Sequence, residues 1–510
     1  MNEIIYLCAN LDDLSTLKSE DEIIQGVFEY IDEIFSIIHP RNLIYMSIDG
    51  VAPKAKMHQE RVSLYNYAKK HSSDNEQFTK CDIKPGTMFM SKLSDKLRSY
   101  IHDRMNSIPA WKSIIVILSD ANVPGEGEHK TMDFIRSQKF SNSNTNHVLF
   151  SGDSDMVLLG LTMPSDNVRI MRRKTNKIEV YTFRDLKLLR EEIKNEFIGD
   201  LKSIIDDWIF LCLLAGNDFL PNLPSIEFNQ TEINNVIFDT YKEYIRKKDV
   251  YLIENMEPNL EYFKILLKHI GEIEEDKVMS LLERSQTATN YSLDEIRKQE
   301  PITNPSAIRF APPSFQKSRN PTSSTESATH WQRQYYKDKF GFKGDQLKTK
   351  STEVVQHYAE GLCWVLHYYY KGVPSWDWYY SYYYPPLAST FSNLENIPMN
   401  FNRNSKPLKP LEHMLAIFPS KYARYLPKNW QELISDMKSS IIDFYRSDPA
   451  IDAHGKRYEE QYIVKLPFVD EKCLFEALKS IDSTLSKEEE KRNRLDDDHL
   501  FIHSTNSCYQ

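Results

Sequence analysis

Three short apolar runs constrain this 510-residue chain more than anything else in it: residues 43–48, 114–118 and 147–150. Each is long enough for a buried strand and too short for an independent helix. Between them the apolar period changes. Ile24, Val27, Phe28, Ile31, Ile34, Phe35 and Ile38 keep helical spacing behind a Ser19/Glu22 capping box. Phe89, Leu93, Leu97 and Ile101 do the same, with Pro85 expected to open that helix. Strand alternating with helix predicts an α/β layer on a mainly parallel sheet. Residues 204–215 read as a further buried helix that stops at Gly216-Asn217, with Pro221 and Pro224 closing the unit.

Beyond it the composition shifts. Residues 285–330 are rich in Ser, Thr, Asn and Pro and read as a linker, and the chain condenses again at Trp331 and stays globular to about His503. The formal charge of −9 excludes a protein that coats nucleic acid by net charge, while leaving room for a local basic path. Six cysteines lie far apart with no C-x-x-C pair, so neither a disulfide framework nor a zinc site is expected. The amino terminus has no basic region ahead of its apolar run, and the apolar run at 208–216 is too short to span a bilayer. A soluble intracellular protein with no membrane partner is expected.

Acidic residues recur just after the strand ends. Asp49 follows the first run, Glu126 and Glu128 follow the second through Val123-Pro124-Gly125-Glu126-Gly127-Glu128, Asp153 and Asp155 follow the third, and Asp218 follows the buried helix. In an open parallel sheet, residues beyond the carboxyl ends of strands converge on one crevice. Six carboxylates there would repel one another unless hard cations lay between them, and Mg²⁺ or Mn²⁺ suits an all-oxygen site for phosphodiester hydrolysis. Taken singly, each acid is as well explained as a helix cap or a turn residue.

Basic and aromatic residues supply the other half. Residues 53–61 lie directly beyond Asp49 and could grip a phosphate or form a solvated helix face. Residues 169–174 form a second basic cluster, readable also as a positive strand edge. In residues 331–350, basic side chains interleave with Trp331, Tyr335, Tyr336, Phe340 and Phe342, a mix that fits a groove for single strands with rings for bases to stack on. Residues 368–384 hold ten aromatics in seventeen positions, most of them expected in the core with one or two touching substrate.

Several of these segments resemble the XRN family of 5′→3′ exoribonucleases. The resemblance runs through Ile48-Asp49-Gly50-Val51-Ala52-Pro53-Lys54-Ala55-Lys56-Met57, the Pro124-Gly125-Glu126-Gly127-Glu128-His129 segment and Gly216-Asn217-Asp218-Phe219-Leu220-Pro221. It continues in Glu360-Gly361-Leu362-Cys363-Trp364, Pro374-Ser375-Trp376-Asp377-Trp378 and Asp452-Ala453-His454-Gly455-Lys456-Arg457, in the family's order and over nearly the whole chain. It implies a PIN/flap-nuclease-like parallel-sheet catalytic domain with a mostly helical, aromatic-rich second region packed against it. The corresponding division is residues 1–227, a helical extension and linker at 228–330, the second region at 331–503, and a tail at 504–510. It also implies two Mg²⁺ ions (Mn²⁺ as substitute) and processive hydrolysis of single-stranded 5′-monophosphorylated RNA to nucleoside 5′-monophosphates. Asp49, Glu126, Glu128, Asp153, Asp155 and Asp218 match its metal-binding acids. Lys56, Gln59 and Arg61 match its 5′-phosphate segment, and Trp364 and Tyr6 its stacking positions.

The chain departs from the family pattern in three places. It starts at Met1-Asn2-Glu3-Ile4-Ile5, so the family's first strand and its metal-binding Asp are expected to be missing, either through a misassigned start or in a shortened member. Tyr6 stands where the family usually has a stacking His. Ser63 and Leu64 stand where it has two phosphate-binding arginines, and Glu60 replaces a neutral Gln, which predicts a weaker 5′-phosphate pocket. An alternative is thus a catalytically impaired RNA-binding scaffold. The sequence names no protein partner. Because the chain stops soon after the second region, nucleus is expected over cytoplasm.

Overall fold

The computed structural model describes residues 1–11, 18–71, 78–137, 145–174, 180–226, 233–279, 330–454, 461–481 and 484–506. The expected linker, apart from His330, and Lys456 and Arg457 lie outside the described residues.

Helix α1 (Asn2–Ala9) packs on α2 (Glu20–Ile38). The start of α2 is fixed by the expected capping box: Ser19 Oγ accepts the Glu22 N–H at 3.3 Å, and the Glu22 carboxylate accepts the Ser19 N–H at 2.7 Å. Then follow β1 (Leu43–Ser47), α3 (Lys54–Lys70), α4 (Met88–Ser107), β2 (Ile115–Ser119), α5 (Gly127–Ser137), β3 (His147–Phe150) and α6 (Asp155–Leu161). Helix α4 starts later than Pro85, because Thr87 supplies the cap by accepting the Met90 N–H at 3.3 Å. The first part ends with β4 (Val168–Lys174), β5 (Val180–Asp185), α7 (Leu186–Glu196) and α8 (Leu201–Ala215).

Strands β1 and β2 pair parallel, as do β3 and β4. The sequence did not announce two antiparallel partners. Strand β5 pairs antiparallel with β4, and β6 (His499–Ile502) returns from the far end of the chain to pair with β2. Among the described residues the mixed α/β layer therefore holds two three-stranded sheets, β1-β2-β6 and β3-β4-β5, in place of one mainly parallel sheet. The basic run at 169–174 is the central strand of the second sheet and not an edge; Arg169 pairs with Asp185 at 3.2 Å, and the Arg173 guanidinium sits 5.6 Å from the Tyr30 ring centre. Strands β1 and β3 each have a single strand partner among the described residues, and both line one cavity of about 510 Å³. Asn2 and Glu3 tie the two sheets together at its carboxyl end: Asn2 Oδ1 accepts the Asp49 N–H at 2.8 Å, and the Glu3 carboxylate accepts the Gly152 N–H.

The second part contains α9 (Leu260–Gly271), α10 (His330–Phe340), α11 (Gln346–Lys371) and α12 (Pro410–Ile417). Helix α11 buries Val354, Val355, Tyr358, Leu362, Trp364, Val365, Tyr368 and Tyr369, and it packs on α5, α6 and α8. Apart from Val354, those side chains share one core with Leu159, Ile209, Phe210 and Leu213 of the first part. Each large apolar side chain enclosed there contributes roughly 1.5–3 kcal/mol, so this face fixes how the two parts dock. Three of the five aromatics of residues 331–350 go inward, contrary to expectation, with Phe340 and Phe342 half-buried against them. Trp331, Tyr335 and Tyr336 are buried beside Val278 and Leu387, with Tyr335 donating to Pro385 O at 2.8 Å and Tyr336 to Thr390 Oγ1 at 3.1 Å. A phenol with an internal acceptor is a core residue, and these rings present no stacking face. Of the ten aromatics of residues 368–384, Tyr368, Tyr369, Tyr380 and Tyr384 are buried and the other six are half-buried, so fewer are fully enclosed than expected. Among the described residues no helix is long and apolar enough to cross a membrane.

Candidate active site

The six acids picked out from strand and helix ends are brought into one neighbourhood by loops that glycine makes possible. After β1, the Gly50 N–H donates to Gly125 O at 2.9 Å and the Gly125 N–H donates back to Val51 O at 2.8 Å. A Cβ on Gly50 would collide with the Val123 carbonyl, and Gly125 has φ +104°, so both positions require glycine. The Asp49 carboxylate accepts the Gly127 N–H at 2.7 Å, at the first turn of α5, where unpaired N–H groups favour an anion. Lys130 seals the end of β2 by donating to the carbonyls of Ser119, Asp120 and Val123 at 3.3, 2.9 and 3.1 Å. After β3, the Asp155 N–H donates to Asp153 Oδ1 at 2.9 Å. After α8, Asn217 Oδ1 accepts the Phe219 and Leu220 N–H groups, both at 2.9 Å, and so turns Asp218 toward the other acids.

Lys56, in the first turn of α3, lies among them. Its ammonium is 2.8 Å from Glu126 Oε2 and also pairs with Asp218. Burial opposes its charge, but Glu126, Asp218 and Glu128 overcome that and hold the ammonium well above its ordinary pKa. The acids respond in the opposite direction. Burial, then Glu126, Asp49 and Asp153, push Glu128 well above the usual carboxylate range. Burial, with Asp153 and Asp218 adding to it against a hydrogen bond from Tyr369, raises Asp155 to about 6. Lys56 thus faces four of the six carboxylates, Glu126, Glu128, Asp155 and Asp218, and the donors are all hard oxygens. Among the described residues no three His, Cys, Asp or Glu side chains already converge as a cage for one ion. The surplus negative charge and the oxygen donors nonetheless fit a hard divalent cation.

The electrostatics give a pH prediction. An acid whose folded pKa is raised adds stability below its unfolded pKa, about 4, and loses it as the pH climbs through the folded value. In EDTA, the unfolding temperature is expected to fall by a few degrees between pH 4 and pH 6 through Asp155. Differential scanning fluorimetry would check this, and Asp155→Asn should flatten the slope.

The other expected residues are scattered. Gln59 is exposed on α3. Arg61 is buried and donates to the carbonyls of Pro467 and Phe444, where it lines a separate cavity of about 250 Å³ with Tyr65, Lys69 and Lys421. Tyr6 lines the cavity between β1 and β3. Leu64 is wholly buried. Two lysines that sequence reading passed over approach this stretch from the segment before α4: Lys80 donates to Ser63 Oγ at 2.8 Å, and Lys84 pairs with Glu60, whose other oxygen is 3.2 Å from His413 Nε2. Trp364 is fully enclosed. Its Nε1 donates to Ser375 O at 3.1 Å and its ring stacks on Trp378 with centroids 5.6 Å apart, so no face is open to a base. Trp364→Phe is expected to cost about 2 kcal/mol of stability in urea unfolding and to leave RNA affinity unchanged.

Residues 1–174 match the family signature of the XRN 5′-3′ exonuclease N-terminus, and residues 199–329 and 325–510 match the Xrn1 helical domain. The chain belongs to the XRN family. It is 34% identical to 5′-3′ exoribonuclease 2 of Gallus gallus, over 98% of this chain and 66% of that protein. It is also 34% identical to the 5′-3′ exoribonuclease 2 homolog of Drosophila melanogaster, over 100% of this chain and 68% of the fly protein. With 5′-3′ exoribonuclease 1 of Homo sapiens it shares 32% identity over 97% of this chain and 33% of the human protein. The chain therefore spans 66% of the chicken relative's length and a third of the human one's.

Proposed function

We propose that this chain is a 5′→3′ exoribonuclease of RNA decay, acting on single-stranded RNA with a 5′-monophosphate and releasing nucleoside 5′-monophosphates. The observation that carries the reading is the set of six acids delivered by four separate loops, with Lys56 between Glu126 and Asp218, on a chain of the XRN family. In this reading residues 1–227 are a PIN/flap-nuclease-like domain and residues 331–503 a brace for it, joined by residues 228–330, with 504–510 as a tail.

Mg²⁺ is the natural occupant, with Mn²⁺ as its substitute, as two ions that Asp49, Glu126, Glu128, Asp153, Asp155 and Asp218 would hold. Bound there, such ions supply polarisation of the scissile phosphate and a water ionised near neutral pH. The chain's own part is to orient and to balance charge. Loops 49–51 and 123–127 hold each other by the paired Gly50 and Gly125 hydrogen bonds, which fixes Asp49 against Glu126 and Glu128. The Lys56 ammonium puts one fixed positive charge where an incoming phosphate needs it.

The test is a time course on 3′-labelled single-stranded RNA bearing a 5′-monophosphate, with Mg²⁺ and then with EDTA. EDTA-sensitive loss of full-length RNA with mononucleotide products is expected. RNA that stays bound and uncut in Mg²⁺ would overturn the reading in favour of an RNA-binding scaffold.

A further inference from the structure

Three consecutive tyrosines end α11, and each phenol reaches a carboxylate on a different element of the first part. Tyr368 donates to Glu126 Oε1 at 3.1 Å, Tyr369 to Asp155 Oδ2 at 2.6 Å, and Tyr370 to Asp206 Oδ1 at 2.5 Å. Successive helical residues point about 100° apart, so one short run can address the loop before α5, helix α6 and helix α8 at once. The first two recipients belong to the acid cluster. Asp206 sits in α8, where its other oxygen takes Lys202 at 2.9 Å.

The packing gives the first two phenols little freedom. The Tyr368 ring lies face to face with His129, centroids 3.6 Å apart and planes 5° apart, and the Phe219 ring meets it edge-on at 5.6 Å. Tyr369 approaches the same imidazole edge-on at 5.4 Å. His129 follows Glu128 directly, so the acid-bearing turn and the tyrosines are parts of one packed unit. Each phenol also takes only one oxygen of its carboxylate. Glu126 keeps Oε2 toward Lys56, and Asp155 keeps Oδ1. A carboxylate pinned through one oxygen presents the other in a fixed direction, which is what a group that ligates through a single oxygen needs.

We propose that Tyr368 and Tyr369 are positioning residues: from the second part of the chain they aim Glu126 and Asp155 at the divalent cation. This rests on the metal-site reading above. It gives the docking of α11 a function beyond stability, because the acid set is complete only while α11 is seated.

The test uses the full chain and three substitutions of the same chemistry, Tyr368→Phe, Tyr369→Phe and Tyr370→Phe. Mn²⁺ binding is read from the free-ion paramagnetic resonance signal, and folding from thermal unfolding in EDTA. Losing a hydrogen bond that orients a ligand typically weakens metal binding about 10- to 100-fold, and Tyr368→Phe and Tyr369→Phe are expected to do so. Tyr370→Phe should bind Mn²⁺ as the unaltered chain does, while all three melt alike in EDTA. Raised Mn²⁺ should restore RNA cleavage to the first two, which a misfolded protein would not allow. Unchanged Mn²⁺ affinity in Tyr368→Phe and Tyr369→Phe, or equal weakening in Tyr370→Phe, would overturn the proposal and leave the metal site standing. An unaltered chain that binds no Mn²⁺ would overturn the metal reading and this inference with it.

Discussion

Glu128→Gln and Asp153→Asn are each expected to slow degradation of 5′-monophosphorylated RNA by about 10³-fold, some 4 kcal/mol of transition-state stabilisation, with RNA affinity retained. The two replacements keep size and remove a charge. Glu128 is the acid that its neighbours disfavour most openly, since burial, Glu126, Asp49 and Asp153 all push its carboxyl toward the protonated form. A charge kept in so unfavourable a place is worth keeping only if a cation uses it, so neutralising it should relieve repulsion and remove function together. The paired observables are initial rate and thermal stability in EDTA: rate lost, stability unchanged or raised. Asp153 sits at the exposed rim and orders Asp155 through its N–H, so Asp153→Asn tests the same centre from its open side. Wild-type rates in both variants would remove the acid cluster from the reaction.

Local signals were legible in the sequence and long-range ones were not. Residues 43–48, 114–118 and 147–150 became β1, β2 and β3 within a residue, because a β-branched run bounded by polar residues carries its own boundaries. The Ser19/Glu22 cap was equally readable. The acids could be picked out because strand ends in a parallel arrangement converge. Strand β6 could not, since its partner is β2: Ile502 lies opposite Ile115, and no local pattern marks a pairing across most of the chain. The aromatics failed for another reason. Trp331, Tyr335, Tyr336 and Trp364 look the same in sequence whether they stack on bases or fill a core, and only burial separates the two. The tyrosines at 368 and 369 were read as core, which they are; that their hydroxyl groups end on Glu126 and Asp155 depends on how α11 docks. Likewise Glu60 read as an intruding anion, but Lys84 and His413 arrive from two other elements to meet it.

Lys56→Met is expected to lower the unfolding free energy in EDTA by about 3–5 kcal/mol, the usual consequence of stripping one partner from a buried ion pair. The loss falls mainly on Glu126, whose side chain is only 10% exposed; Asp218 is 42% exposed, and water screens its share. What distinguishes this lysine from an ordinary structural cation is its company. Its ammonium contacts two of the six acids directly, so removing it leaves a cluster that a divalent ion could neutralise just as well. Excess Mg²⁺ should therefore recover much of the lost stability, an effect with no counterpart if Lys56 merely filled space. Cleavage should not recover with it, because the fixed ammonium beside the incoming phosphate is still gone. Urea unfolding with and without Mg²⁺, set beside the rate on 5′-monophosphorylated RNA, separates the two roles. Stability that stays low in Mg²⁺ would mean that the acids do not share a cation, and cleavage that returns with stability would confine Lys56 to holding the acids together.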